Sequence, residues 1–151
     1  MSLAITLHVL ASLLWVGGMF FAWMILRPVA AGLLEPPVRL TLWRGVFARF
    51  FPWVWASVAV LLVTGLWMLF AVFGGMAGAR WHIHLMLLLG LAMMAIYLHV
   101  WFVPYRRLCR AVDGTDWPEG GRQLARIRRL IGVNLILGLL TVAIASGGRY
   151  I

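Results

Sequence analysis

The sequence contains no lysine, and its 151 residues include only four acidic side chains and one cysteine. Charged residues make up 11% of the chain, whereas an average soluble domain has roughly a quarter. This composition excludes a soluble globular domain. The lone Cys109 excludes an intrachain disulfide framework. The chain also lacks the glycine-rich phosphate loop, nucleophile elbow and carboxylate pair that indicate familiar catalytic sites.

What the chain has in abundance is apolar sequence, with 64% hydrophobic residues and a mean hydropathy of +0.99. Four stretches without Asp, Glu, Lys or Arg reach the length of roughly 17–25 residues that a spanning helix needs. They are residues 3–26, 50–73, 82–103 and 130–147. Because lipid offers no hydrogen bonds to the backbone, each stretch is predicted to be a helix. We therefore expect an all-α integral membrane four-helix bundle, forming a single transmembrane domain over residues 1–151.

The arginines predict how the helices cross the membrane. All of them except Arg80 and Arg149 lie in the segments 27–49 and 104–129, and basic segments favour the cytoplasmic side. Both segments are therefore predicted to be basic cytoplasmic loops, with both termini outside, in the periplasm. The net charge of +9 then indicates a lipid bilayer as partner, and no nucleic acid. We expect a multi-pass protein of the bacterial inner membrane, whose apolar faces are compatible with a homo-oligomer.

Two histidines fall at the same predicted depth on different helices. The first and third helices both run inward from the outer surface, and His8 and His84 each lie near the start of one of them. Ionisable residues inside a membrane are functional by default. Two neutral imidazoles on facing helices are a usual way for a bundle to hold a b-type haem. His82, nearer the surface, is the backup for His84; the alternatives are another metal, or histidines that only pack.

A haem also needs space and countercharges for its propionates. Gly17, Gly18 and Gly90 lack side chains and are predicted to give clearance, and Trp15 is the remaining residue expected to contact the cofactor. Arg80 or Arg149 at the outer surface would meet the propionates.

Methionines keep a copper site open as an alternative, because imidazole and thioether ligands suit Cu(I). Met19 lies eleven residues after His8, which returns to the same helix face, and Met86 and Met93 share a face of the third stretch. Methionine is equally common as apolar filler.

His99 lies about 22 Å deeper than His84 at 1.5 Å per residue. Asn134 falls at a comparable depth and is predicted to bond it. A second cofactor or a quinone site is the alternative.

A weak internal repeat links the two halves of the chain. Pro28 follows His8 by twenty residues, and Pro104 follows His84 by the same interval. In the basic segments we expect an interfacial helix over residues 36–49 and chain breaks at residues 113–114 and 118–121.

Three segments carry a resemblance to a known family: LHVLASLLWVGGMFF, WHIHLMLLLGLAMMAIYLHVW and ARIRRLIGVNLILGLL. The chain resembles the CopD/HemJ-type family of small four-helix membrane proteins. That resemblance implies a b haem in some members, copper import or resistance in others, and porphyrinogen oxidation in the HemJ branch. His8 and His84 match the family's first-helix and third-helix histidines. Met86 replaces the lysine of HemJ-type proteins and Leu135 replaces their acid, which disfavours the oxidase.

The sequence thus predicts a membrane b-type cytochrome, with haem held by His8 and His84 between the first and third helices near the periplasmic side. Its expected work is electron transfer, or redox chemistry on a small substrate, with an unidentified redox partner or quinone. Haem-dependent oxidoreductase activity stays open. The alternatives are a copper-handling permease with His and Met ligands, for which His82, His99 and Met86 are backup ligands, the disfavoured porphyrinogen oxidase, and a non-catalytic membrane subunit.

Overall fold

A computed structural model describes residues 2–147, and this part of the chain consists of helices and short connections. The four long helices are α1 (Ser2–Leu33), α2 (Pro36–Ala71), α3 (Trp81–Asp113) and α4 (Trp117–Gly147). Each one is long and apolar enough to cross a membrane. The prediction of an all-α membrane protein with four spanning helices is therefore confirmed. Which end faces the cytoplasm stays a prediction.

The helices extend well beyond the predicted spans. With 31 to 36 residues each, they measure on the order of 50 Å, against roughly 30 Å for the hydrocarbon core of a bilayer. Most of both basic segments is helical, so the connections between the helices are shorter than the segments themselves. Residues 34–35 join α1 to α2, and residues 114–116 join α3 to α4. The helix expected over residues 36–49 is continuous with the second span.

The predicted break at residues 113–114 is confirmed, but the one at residues 118–121 is wrong. Pro118 lies in the first turn of α4, where its missing N–H would have no helical partner in any case. The Asp116 carboxylate caps this turn by accepting the N–H of Glu119 at 3.0 Å. Gly120 is needed for close packing, since a Cβ there would lie 3.0 Å from Leu40 Cδ1.

Two helical hairpins make up the bundle. The helix α1 packs along α2, and α3 packs along α4, while α4 also contacts α1 and α2. The helices that carry the histidines, α1 and α3, meet through large side chains: the rings of Trp15 and Tyr97 lie 6.1 Å apart in an edge-to-face contact. Tyr97 further donates its hydroxyl proton to the Phe51 carbonyl at 3.0 Å.

Packing differs along the bundle, so we divide it into two halves. The arginine half comprises residues 19–55 and 93–134, and the histidine half comprises residues 2–18, 56–92 and 135–147. In the arginine half, Phe47 and Phe51 stack at 5.1 Å, and Tyr105 meets Phe51 edge-on at 4.9 Å. Around them lies most of the core: Leu40, Trp43, Val54, Val100, Leu108, Val112, Leu124 and Ile127. In the described part of the histidine half, the buried residues are Ala11, Trp15, Ser57, Val58, Thr64, Leu69, Leu135 and Gly138.

Each proline of the internal repeat lies beside a π-helical segment. Phe21–Leu26 precedes Pro28 in α1, and Trp101–Tyr105 contains Pro104 in α3. Proline lacks an N–H and its ring collides with the carbonyl four residues earlier. A wider π turn at that position relieves the collision without ending the helix. The two segments give the repeat a structural counterpart, because the same irregularity recurs in the first helix of each hairpin.

Candidate metal site in the histidine half

His8 contacts the second helix. Its Nδ1 lies 2.8 Å from Thr64 Oγ1, and both side chains are largely removed from the surface. Gly65 makes room for the ring, since a Cβ there would come within 3.3 Å of His8 Cε1. The packing of α1 on α2 thus fixes the position of this imidazole.

The Thr64 contact also determines where the His8 proton resides. The Thr64 hydroxyl lies 2.6 Å from the carbonyl oxygen of Val60, which only accepts, so the hydroxyl donates its one proton there. The contact with His8 then requires the ring to donate from Nδ1–H. In the neutral imidazole this leaves Nε2 with a free lone pair. Metal-binding histidines commonly donate a hydrogen bond from the ring nitrogen that does not face the metal, which fixes the ring orientation.

The two histidines of α3 lie on different faces, because two residues along a helix correspond to about 200°. The half-buried His84 shares its face with Leu88 and Leu91, which are 64% and 49% exposed. His82 shares its face with Met93 and Tyr97, each 4% exposed. The face that packs into the bundle is therefore that of His82.

The hydrogen bonding of His82 and His84 also differs. The Nδ1 of His84 donates to the carbonyl of Arg80 at 3.2 Å, within its own helical turn. The Nδ1 of His82 is buried and has no hydrogen-bond partner. An unpartnered buried nitrogen is costly. Met86 lies one turn further along the same face and is half-buried, so this face offers an imidazole nitrogen and a thioether sulfur together.

Helix register places all three histidines at similar depth. Val16 of α1 and Met93 of α3 both adjoin Gly138 of α4, within 2.9 and 3.1 Å of a Cβ built there. Counting eight residues back from each reaches His8 and residue 85. The α3 histidines therefore lie within roughly one helical turn of His8 in depth.

The space expected for a haem beside Gly18 is occupied. A Cβ on Gly18 would overlap the ring of Phe50, so this glycine accommodates an aromatic side chain of α2. Trp15 is buried against Tyr97. Gly90 is open, with no atom within 4 Å of a Cβ position. Arg80 is exposed just before α3, and Arg149 lies outside the described residues.

The predicted bond between His99 and Asn134 is wrong. His99 is exposed, and the buried Asn134 Oδ1 has no hydrogen-bond partner; it borders a cavity of about 20 Å³ that Met19 also lines. Met19 lies roughly 16 Å along α1 from His8, which is too far for the two to share one ion.

Over residues 2–147, no three His, Cys, Asp or Glu side chains come close enough to hold a metal together. A metal in this half would therefore depend on thioethers beside the imidazoles. Sequence reasoning missed Thr64 and Gly65, which orient His8. The signal that could have found them is antiparallel register, which brings a threonine–glycine pair of the second span to the depth of His8.

Four apolar helices with a polar cluster in one half define an integral membrane protein with a candidate metal site. The family model described as Copper resistance protein D matches residues 44–147 of the chain. Because this match covers more than half of the sequence, the chain belongs to the CopD family, and the expected family resemblance is confirmed. The matched segment includes Thr64, His82, His84 and Met86, and begins after His8. Searches of curated proteins and of solved structures return no significant match.

Proposed function

We propose that this protein handles copper within the membrane, binding Cu(I) in the histidine half. The observation that carries the proposal is the buried, unpartnered Nδ1 of His82 one turn from Met86, in a chain that belongs to a copper-resistance family. Cu(I) is a soft ion that accepts imidazole and thioether ligands and needs only a few of them.

His8 is proposed as the second imidazole ligand. Its Nδ1–H donates to Thr64, which leaves Nε2 for the ion. Since His8 and His82 lie on different helices at similar depth, a copper ion between them would connect the two hairpins. His84, on the more exposed face, would receive or release the ion at the lipid or water boundary. With His and Met as its only ligands, the site would hold Cu(I) without fixed negative charge, which favours release as well as binding.

Copper binding to purified protein tests this directly. The protein in detergent is titrated with Cu(I) against a chromophoric chelator, and bound metal is counted by elemental analysis. We expect one Cu(I) per chain, with loss of affinity on the order of tenfold or more in His82→Ala and His8→Ala. X-ray absorption should report sulfur together with nitrogen neighbours, and Met86→Leu should remove the sulfur signal.

The matched control is His99→Ala, because His99 is exposed on the same helix outside the candidate site. It should bind copper as the unaltered protein does. Failure of the unaltered protein to bind Cu(I) would overturn the proposal, and equal losses in His99→Ala and His82→Ala would overturn the ligand assignment.

A b-type haem is the second candidate, favoured by histidines on two helices at one depth. His8 and His84 were the predicted axial ligands, and the nitrogen that each leaves free is Nε2. The filled space beside Gly18 argues against this candidate, because a haem there would have to displace Phe50. A reduced-minus-oxidised absorption spectrum of protein from haem-replete cells decides the matter: Soret and α bands that vanish in His8→Ala would establish the haem, and a colourless protein would exclude it.

We further propose that the protein resides in the bacterial inner membrane with its arginine half toward the cytoplasm. The arginine distribution supports this orientation. A redox partner or a quinone belongs to the cytochrome hypothesis and depends on the same spectrum, whereas a homo-oligomer is proposed from the exposed apolar faces of the helices.

A further inference from the structure

Three arginines of the arginine half come from three different helices and act on one another through their charges. They are Arg27 of α1, Arg39 of α2 and Arg128 of α4, and each is half-buried. The charges of Arg27 and Arg39 both act on Arg128. Like charges that act on one another in this way repel unless something neutralises them.

Packing of Trp23 fixes the position of two of them. A Cβ on Gly132 of α4 would lie 2.8 Å from Trp23 Cη2, so the indole lies flat against that glycine. The Arg27 guanidinium lies over the same ring, 4.5 Å from its centroid. Arg27 lies one turn after Trp23 in α1, and Arg128 lies one turn before Gly132 in α4. Because the two helices are antiparallel, the two arginines lie at the same level. The two guanidinium groups are thus held near each other by the packing of the Trp23 indole on Gly132.

No carboxylate neutralises this group among the described residues. The ion pairs in residues 2–147 join Arg44 to Asp113 and Arg122 to Glu119. A half-buried guanidinium without a countercharge is costly, and three together create a local field that selects an anion. Guanidinium groups match phosphate oxygens with paired N–H donors.

The depth of the group identifies the source of the anion. Arg128 lies two residues before the apolar stretch 130–147, and the neighbouring Trp23 is the kind of side chain that lies at the membrane interface. Lipid phosphates lie at this depth, and basic pockets between spanning helices bind anionic headgroups. We propose that Arg27, Arg39 and Arg128 form a binding site for the phosphate of an anionic phospholipid. This inference is independent of copper or haem.

Lipid retention by purified protein tests the proposal. The protein is reconstituted in nanodiscs of phosphatidylcholine with a variable share of phosphatidylglycerol, and bound lipid is measured by native mass spectrometry. Arg27→Gln, Arg39→Gln and Arg128→Gln should each weaken phosphatidylglycerol binding on the order of fivefold, while Arg128→Lys should keep most of it. The matched control is Arg126→Gln, which removes the same charge from an exposed position of the same helix and should leave binding within about twofold.

Three results would overturn the assignment. Equal losses in Arg126→Gln and Arg128→Gln would reduce the effect to net charge. Equal retention of phosphatidylcholine and phosphatidylglycerol would show that the site does not select an anion. Inorganic phosphate that binds the detergent-solubilised protein, and loses affinity in the same three variants, would replace the lipid by a soluble phosphate. If Arg27→Gln or Arg128→Gln fails to fold, the loss expected in Arg39→Gln against Arg126→Gln still decides the assignment.

Discussion

The arginine half and the histidine half are built from the same four helices, yet they pack differently. In the arginine half, stacked and edge-to-face rings fill the space between α2 and α3, and buried aliphatic residues complete the core. In the histidine half, few large side chains are buried, and Thr64, Ser57 and the Nδ1 of His82 lie inside. The large buried side chains are therefore concentrated in the arginine half, and the candidate metal ligands lie in the histidine half.

This division has a physical reason. A ligand site needs groups that are not already satisfied by the protein, and such groups reduce stability wherever they are buried. A close-packed aromatic core adjacent to them offsets that cost and holds the helices in register. Substitutions confined to one half test whether the two halves differ in this way.

The largest effect is expected from removing an aromatic ring of the arginine half. Phe47 is 1% exposed and Phe70, in the histidine half, is 65% exposed. Phe47→Ala should lower the free energy of unfolding by about 3–5 kcal/mol, because a cavity remains in a packed core. Phe70→Ala is the matched control and should change it by less than about 0.5 kcal/mol. Thermal or denaturant unfolding in detergent measures both, and similar losses would contradict the division into halves.

A smaller loss is expected where α1 meets α2 at the boundary of the halves. Gly18→Val would push a side chain into the Phe50 ring, whereas Gly17→Val has no atom within 4 Å of the new Cβ. The first should destabilise by about 1–3 kcal/mol through overpacking. The second should be neutral or slightly stabilising, since valine is a better helix former than glycine. If the two adjacent variants melt at the same temperature, α1 does not approach α2 through Gly18.

The sequence was sufficient for the number of helices and for their apolar stretches, since lipid leaves a backbone little choice. It was insufficient for their ends: Leu40, Leu108 and Ile127 pack in the basic segments, and the helices continue there beyond the apolar stretches. It could not choose between His82 and His84 either. In soluble helices the polar face identifies the opposite face as the buried one. In this helix the exposed Leu88 and Leu91 and the buried Met93 are all apolar, so the sequence does not distinguish the face toward lipid from the face toward the core.

Thr64→Val tests the histidine half by removing the acceptor for His8. Valine keeps the shape and leaves the Nδ1–H of His8 unpaired, so the loss of stability should be about 1 kcal/mol. The share of His8 rings that carry the proton on Nδ1 should fall as well, and ¹⁵N NMR of the imidazole measures this tautomer. The matched control is Thr141→Val, because Thr141 bonds only the Leu137 carbonyl four residues earlier. An Nδ1-protonated ring in both variants would separate the tautomer from Thr64.

The smallest effect is expected from the ion pair that links α2 to the end of α3. Arg44 contacts Asp113 at 2.6 Å, but the two side chains are 38% and 60% exposed. Asp113→Asn should cost only about 0.2–1 kcal/mol at low salt and nothing measurable at 1 M salt, where screening acts within a few ångströms. Asp116→Asn removes the same charge and keeps an amide oxygen to cap α4, so it should be neutral. A loss that approaches that of Phe47→Ala would mean that charge, and not ring packing, holds the arginine half together.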